Sequence, residues 1–161
     1  MKNANVSIFV PHNGCPNQCS FCNQKNITGQ AVQPSVESVR ETLEAAKSEI
    51  DFKQTKAEIA FFGGSFTAID RDYMVELLNE ASRFLGKGSF EGIRISTRPD
   101  AIDDGIIDIL RAYGVKTVEL GAQSMCDSVL LANKRYHTRE DVILSSKKIK
   151  AAGFKLGLQM M

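Results

Sequence analysis

The sequence predicts an α/β fold built on a parallel sheet of about five strands, and three observations lead there. Short runs rich in Ile, Val and Phe alternate with longer stretches whose apolar residues recur at helical intervals. Every apolar run is short and nearly continuous, as expected for strands of a parallel sheet covered by helices. The polar and glycine-rich clusters follow the strand ends, at 11–29, 63–67, 96–100 and 121–124. In barrels and open α/β sheets that edge carries the site.

The elements follow in order. Val6–Val10 is the first strand. A helix opens at Ser35 or Ser38, with Ser38 and Glu41 at capping-box spacing, and Val36, Val39, Leu43, Ala46 and Ile50 form its apolar stripe. Ile59–Phe62 is the second strand and runs into Gly63-Gly64. Asp70 to about Leu85 reads as a helix on Met74, Leu77, Leu78, Ala81 and Leu85, stopped by Gly86 and Gly88. Ile93–Ser96 is the third strand, closed by Arg98-Pro99. Ile102–Tyr113 is a helix ended by Gly114. Val115–Leu120 is the fourth strand. A short helix near Asp127–Asn133 and a longer one from about Arg139 to Ala152 lead to the fifth strand, Phe154–Met160. A chain that stops on a core strand, at Gln159-Met160-Met161, leaves an edge uncovered, so a truncated domain is expected.

The bulk properties narrow the function. The 161 residues, 43% hydrophobic and 24% charged, suit one globular domain spanning 1–161. A net charge of +1 gives no general attraction to nucleic acid or membrane. No apolar run approaches the roughly 20 residues that span a bilayer, and the N-terminus lacks a signal-peptide pattern. Four cysteines in such a chain read as metal or redox chemistry in a reducing cytoplasm.

Three of those cysteines, Cys15, Cys19 and Cys22, stand at C-x3-C-x2-C directly after the first strand. Three closely spaced thiolates can hold three irons of a [4Fe–4S] cluster and leave the fourth open to a small molecule. The alternative is a Cys3His zinc site completed by His12. A zinc knuckle has no need of polar clusters at four other strand ends, which favours the cluster, with His12 as a loop histidine. Cys126 lies over a hundred residues downstream and reads as a small buried hydrophobe.

The C-x3-C-x2-C run with Phe21 before its last cysteine resembles the signature of the radical S-adenosylmethionine (SAM) superfamily. Phe62-Gly63-Gly64-Ser65-Phe66 resembles that family's glycine-rich motif. Ser96-Thr97-Arg98-Pro99-Asp100 and Glu119-Leu120-Gly121-Ala122-Gln123-Ser124 resemble third- and fourth-strand motifs of the branch containing the Elongator catalytic subunit and oxygen-independent coproporphyrinogen oxidase. The resemblance implies a partial (β/α) barrel with a [4Fe–4S] cluster on Cys15, Cys19 and Cys22. It also implies SAM near Phe21, Gly63, Gly64, Ser65, Ser96, Arg98, Gln123, Ser124, Arg135 and Gln159. In such enzymes one electron from the cluster cleaves the sulfonium C–S bond, giving methionine and a 5′-deoxyadenosyl radical; the cofactors carry that chemistry, and no protein side chain is singled out as catalytic.

Each assignment has a plainer counterpart: loop packing for Phe21, a turn for Arg98-Pro99-Asp100, turn capping for Gln123 and Ser124, a solvated helix end for Arg135. Ser96 stands where many relatives carry an acid and supplies a hydroxyl but no charge. Tyr136 replaces a glycine frequent in relatives. The implied partners are SAM and a one-electron reductant such as ferredoxin or flavodoxin, with tRNA suggested by the modifying relatives and by the basic run 133–139, which otherwise reads as a solvated helix junction. The functions implied are tRNA modification or, alternatively, a coproporphyrinogen-oxidase-like reaction on a porphyrin; a zinc-binding α/β module is the non-catalytic rival.

Overall fold

The computed structural model describes residues 2–11 and 32–161. Five strands, β1 (Lys2–Val10), β2 (Thr55–Gly63), β3 (Gly92–Thr97), β4 (Val115–Gln123) and β5 (Lys155–Met160), form one sheet in sequence order, and every neighbouring pair is parallel. The crossovers carry α1 (Val36–Glu49), α2 (Arg71–Ser82), α3 (Asp104–Ala112), α4 (Asp127–Ala132) and α5 (Arg139–Ala151). Strand order equal to chain order is what successive β-α units give when each helix returns the chain to the same end of the sheet.

Alternation divides the sheet into two unlike faces. Ile8 and Val10, Ile59 and Phe61, Ile93 and Ile95, and Val118 and Leu120 are buried in one core with Val39 and Leu43 of α1, Met74, Leu77 and Leu78 of α2, Ile106 and Leu110 of α3, and Ile149 of α5. The intervening residues, Asn5 and Ser7, Glu58, Arg94 and Ser96, and Thr117 and Glu119, belong to the other face. A period of two makes this unavoidable once the apolar set is buried.

The strands run longer than their apolar cores suggest. β1 starts at Lys2 because the polar Asn3 and Asn5 fall on the non-core face and cost the core nothing. β2 likewise extends back to Thr55, and β4 runs on to Gln123. The helix after β2 ends at Ser82 rather than Leu85, since Leu85 forms a bridge with Phe90, a fully buried ring, and Gly86 turns the chain at a φ of 148°. Ser35, not Ser38, caps α1: its Oγ accepts from Ser38 N at 3.1 Å, so the Ser38–Glu41 spacing is internal to the helix. A capping box does start α5, where Thr138 and Asp141 bond each other's backbone N–H. The strand β5 lies at the sheet edge, with Leu158 and Met160 about half exposed.

Helices α1 and α2 are joined through a buried acid. Glu80, 3% exposed, accepts from Arg40 Nε at 2.8 Å, Arg40 Nη2 at 3.2 Å and Arg83 Nη1 at 3.0 Å. The Arg40 hydrogen bond holds its carboxyl below the ordinary range, against the opposing effect of burial. A depressed folded pKa stabilises the fold above the ordinary carboxyl range, and that stability is lost as pH falls through the folded pKa. Glu80→Gln is therefore expected to lower the Tm at neutral pH, with the difference from wild type closing below about pH 4. Thermal melts across pH check this; a constant gap down to the acid limit would mean that the carboxylate charge is irrelevant.

Gly63 ends β2 with a φ of 116°, and an added Cβ would lie 2.3 Å from Phe9 Cε2. Gly63→Ala is expected to cost about 1–3 kcal/mol from backbone strain, with further loss from displacing the Phe9 ring. Urea unfolding should show a lower midpoint at unchanged slope.

Candidate functional site

Beneath the C-terminal edge, the non-core face carries a ladder of charge. Arg94 on β3 reaches both neighbours: its guanidinium contacts Glu58 Oε2 on β2 at 2.8 Å and donates from Nη1 to Glu119 Oε1 on β4. Thr117 Oγ1 donates to Glu58 Oε1 at 3.2 Å, and Ser96 Oγ to Glu119 Oε2 at 3.3 Å. Sequence reading missed Glu58 and Arg94, and named Glu119 only as the start of the fourth-strand motif. The available signal was a charged residue between two apolar ones in each strand: Glu58 after Ala57 and before Ile59, Arg94 between Ile93 and Ile95, Glu119 between Val118 and Leu120. Ser96 thus lies in register with Glu119 and bonds to it, so a carboxylate adjoins the serine from the next strand.

Above the ladder, the strand ends diverge into turns. Gly64 N donates to Val10 O at 3.1 Å, which ties the glycine turn to the end of β1 and so to the start of the cysteine loop. Ser65 precedes a one-turn 3-10 helix, Phe66–Ala68, and its carbonyl accepts from Ala68 N. Phe66 stacks on Phe61 with centroids 4.7 Å apart, anchoring that turn in the core. On the opposite face, Phe9 and Phe62 meet edge to face at 5.4 Å.

Arg98 begins the turn after β3, ahead of a second 3-10 helix, Pro99–Ala101. Its Nε contacts Asp100 Oδ1 at 2.9 Å without the alignment of a hydrogen bond, and its buried Nη1 has no hydrogen-bond partner among the described residues. Buried cationic donors are costly to leave unmet, so this guanidinium is suited to an anionic group.

The end of β4 gathers three predicted residues. A bulge separates Leu120 from Gln123, and Gln123 takes a φ of 63°. Arg135 Nη2 donates to Gly121 O at 2.6 Å. A Cβ at Gly121 would meet Gln123 Nε2 at 3.2 Å and Arg135 Nη2 at 3.4 Å, so both side chains converge over that glycine. Arg135 is thus folded back on the strand end rather than displayed as a solvated helix terminus. Ser124 takes a turn role: its N donates to Ala122 O at 2.7 Å and its Oγ accepts from Cys126 N at 3.1 Å. Gln159 is exposed on β5, on the strand beside β4.

The run 133–139 is mixed. Tyr136 is 67% exposed, whereas His137 is buried with Nε2 3.0 Å from Ala122 O. Since a carbonyl only accepts, Nε2 carries the proton, and burial pushes the imidazole pKa down. His137 is therefore a neutral buttress under β4. Cys126 is exposed, contrary to its reading as a buried hydrophobe, because it precedes α4 at the rim of β4 rather than in a core strand. Its Sγ lies 3.1 Å from Ser128 Oγ, and that contact pulls the thiol pKa down.

Cys15, Cys19, Cys22, Phe21 and His12 lie outside the described residues. A cleft of about 270 Å³ between the first turns of α2 and α3 lies apart from the ladder; of its polar residues, Asp103 is already engaged as the cap of α3. No helix among the described residues is long and apolar enough to cross a membrane.

The chain is 30% identical over 164 residues to a protein of Methanocaldococcus jannaschii described as a methylthiotransferase, covering 97% of this chain and 34% of the relative. It is 31% identical over 123 residues to Elongator complex protein 3 of Saccharomyces cerevisiae, covering 66% and 22%, and 25% identical over 192 residues to a tRNA uridine(34) acetyltransferase of M. jannaschii, covering 97% and 36%. The chain therefore spans roughly a fifth to just over a third of the length of these curated relatives.

Among solved structures, the Elp3 of Methanocaldococcus infernus superposes with a TM-score of 0.68 at 22% identity, covering 99% of this chain and 38% of that one. The enzyme anSMEcpe with bound AdoMet and a peptide superposes with a TM-score of 0.72 at 15% identity, covering 97% and 42%. These matches show the fold, a partial (β/α) barrel whose inner face is the one bearing the ladder. Enzymes of this kind bind a [4Fe–4S] cluster and SAM. The family model described as the radical SAM superfamily matches residues 9–161, nearly all of the sequence, and the chain belongs to that superfamily.

Proposed function

We propose that this chain is the catalytic core of a radical SAM enzyme, holding a [4Fe–4S] cluster on Cys15, Cys19 and Cys22 and binding SAM along the C-terminal edge of the sheet. The observation that carries the reading is the C-x3-C-x2-C run directly after β1, within a match to the family over residues 9–161.

The residues present fit both groups. Three thiolates with the fourth cysteine over a hundred residues away in the sequence suit a cluster with one open iron. For SAM, the buried unpartnered Nη1 of Arg98 suits a carboxylate. Gln123 and Arg135 converge over the bare Cα of Gly121, so close that a Cβ there would crowd both. When bound, the cluster and SAM supply one-electron reductive cleavage of the sulfonium C–S bond and hence a 5′-deoxyadenosyl radical.

The chain's own contribution is binding and orientation. The positive φ of Gly63 turns the backbone so that the Gly63-Gly64-Ser65 segment follows the rim, where its polar groups can meet the methionine amino group. Gln123 and Gln159 offer amides for the ribose, with Ser96 and Ser124 as further hydroxyls near the strand ends. Arg135 and Arg98 supply positive charge for the methionine carboxylate. Phe21, next to a thiolate, offers an apolar surface for adenine.

For the substrate, the likeness to tRNA uridine(34) acetyltransferase supports tRNA modification, and the likeness to a haem chaperone, 26% identical over 88% of this chain, keeps porphyrin chemistry as the second reading. A reductant such as ferredoxin or flavodoxin would supply the electron. Residues 1–161 are read as a single radical SAM core domain, and a cytoplasmic setting suits an oxygen-sensitive cluster.

Anaerobic reconstitution tests the reading. Wild-type protein should turn brown and bind about four irons with matching sulfide, whereas a Cys3His zinc site would stay colourless. Cys15→Ala, Cys19→Ala and Cys22→Ala should each lose the cluster, and Cys126→Ala should retain it. Cluster loss in Cys126→Ala, or full iron in any of the other three, would overturn the ligand assignment. Release of 5′-deoxyadenosine under a strong reductant then tests SAM cleavage directly.

A further inference from the structure

The strands β2 and β3 part before their ends. Their ladder stops at Phe61↔Ile95, two residues short of Gly63 and Thr97, whereas β1 stays paired with β2 to Gly63 and β4 with β3 to Thr97. The turns that follow are the glycine segment 63–65 and the Arg98 segment. Beyond the last ladder pair, two buried hydroxyls close the gap. Thr67 Oγ1 lies 2.7 Å from Thr97 Oγ1 and donates to Ala101 O at 2.6 Å. Thr67 is 8% exposed and Thr97 is 4% exposed.

The direction of this chain of bonds follows from donor counting. A carbonyl can only accept, so the single hydroxyl proton of Thr67 goes to Ala101 O. Thr97 must then donate to Thr67. The result is a one-way relay, Thr97 to Thr67 to Ala101, in which each bond polarises the next. It fastens the 3-10 turn after Gly63-Gly64 to both ends of the turn that carries Arg98.

We propose that Thr67 is a positioning residue for SAM: its relay sets the spacing between the Gly63-Gly64-Ser65 segment and Arg98, which lie on opposite sides of the gap where β2 and β3 part. The assignment rests on the reading that SAM binds along this edge. Thr67 has no need to touch the ligand; it fixes two segments that do. Thr67→Val keeps the branched shape, removes the donor to Ala101 O and takes away the acceptor of Thr97. Thr67→Ser keeps the hydroxyl and deletes only a methyl. Thr97→Val leaves the bond from Thr67 to Ala101 intact and should have the smaller effect.

The test is SAM affinity of the cluster-loaded chain by equilibrium dialysis, with iron content, Tm and amide hydrogen exchange at residues 64–68 and 98–101 measured on the same samples. Thr67→Val should load iron as wild type does, bind SAM about tenfold more weakly, and exchange faster in both turns. Thr67→Ser should bind within about twofold of wild type, and Thr97→Val should fall between the two. Wild-type affinity in Thr67→Val, or equal loss in Thr67→Ser, would overturn the inference by showing that the hydroxyl does not set the site. Failure of the cluster-loaded wild type to bind SAM would instead overturn the functional reading, and with it the assignment of the relay to SAM.

Discussion

One arginine joins three strands. Arg94 lies on the middle strand of the sheet and holds Glu58 of β2 and Glu119 of β4 at the same time. Such a ladder is stable only because each acid also takes a hydroxyl, Thr117 for Glu58 and Ser96 for Glu119. A half-buried ion pair gains little by itself once desolvation is counted. Its larger consequence is polarity: the inner face cannot collapse onto another apolar layer without stranding these charges. The fold is therefore one-sided, with α1, α2, α3 and α5 packed on the other face.

One-sidedness decides where chemistry can sit. With helices on one face and all strands parallel, the returns from strand to helix collect along a single edge. There the sheet's regularity is given up in three places: the left-handed backbone of Gly63, the parting of β2 from β3, and the bulge before Gln123. Each turns peptide groups or side chains away from the ladder and toward the rim. The buried threonine relay and the buried histidine under Ala122 hold that irregular rim in place.

Much of this was legible in the sequence. The parallel sheet follows from apolar runs too short and continuous for amphipathic strands, and the glycine stops after α3 and α5 mark real positive-φ residues, Gly114 and Gly153. Gln123 and Arg135 are both legible through the resemblance, and both converge over Gly121. The inner ladder was not read, because a lone Glu or Arg inside a strand looks the same whether it faces solvent or a neighbouring strand; only the parallel register brings Arg94 between its two acids. Ser35 was left level with Ser38 as a cap, since both have suitable chemistry and only the chain's entry into α1 decides between them. Cys126 was misread because burial was inferred from residue type, while its position at the rim of β4 sets its exposure.

The two arginines at the rim illustrate why sequence position and electrostatic role come apart. Arg135 has Nη2 on the carbonyl of Gly121, a bond that fixes the side chain over the end of β4. Among the described residues, Arg98 has an imperfectly aligned acid two residues away and a buried nitrogen with no hydrogen bond. A cation held in that way stores unmet interaction, and an anion arriving at the rim recovers it. Preorganisation thus comes in two forms on the same edge: one guanidinium fixed by backbone, the other left short of partners by burial. In the proposed reading the backbone-fixed group would contribute geometry and Arg98 would contribute drive for a carboxylate at this edge.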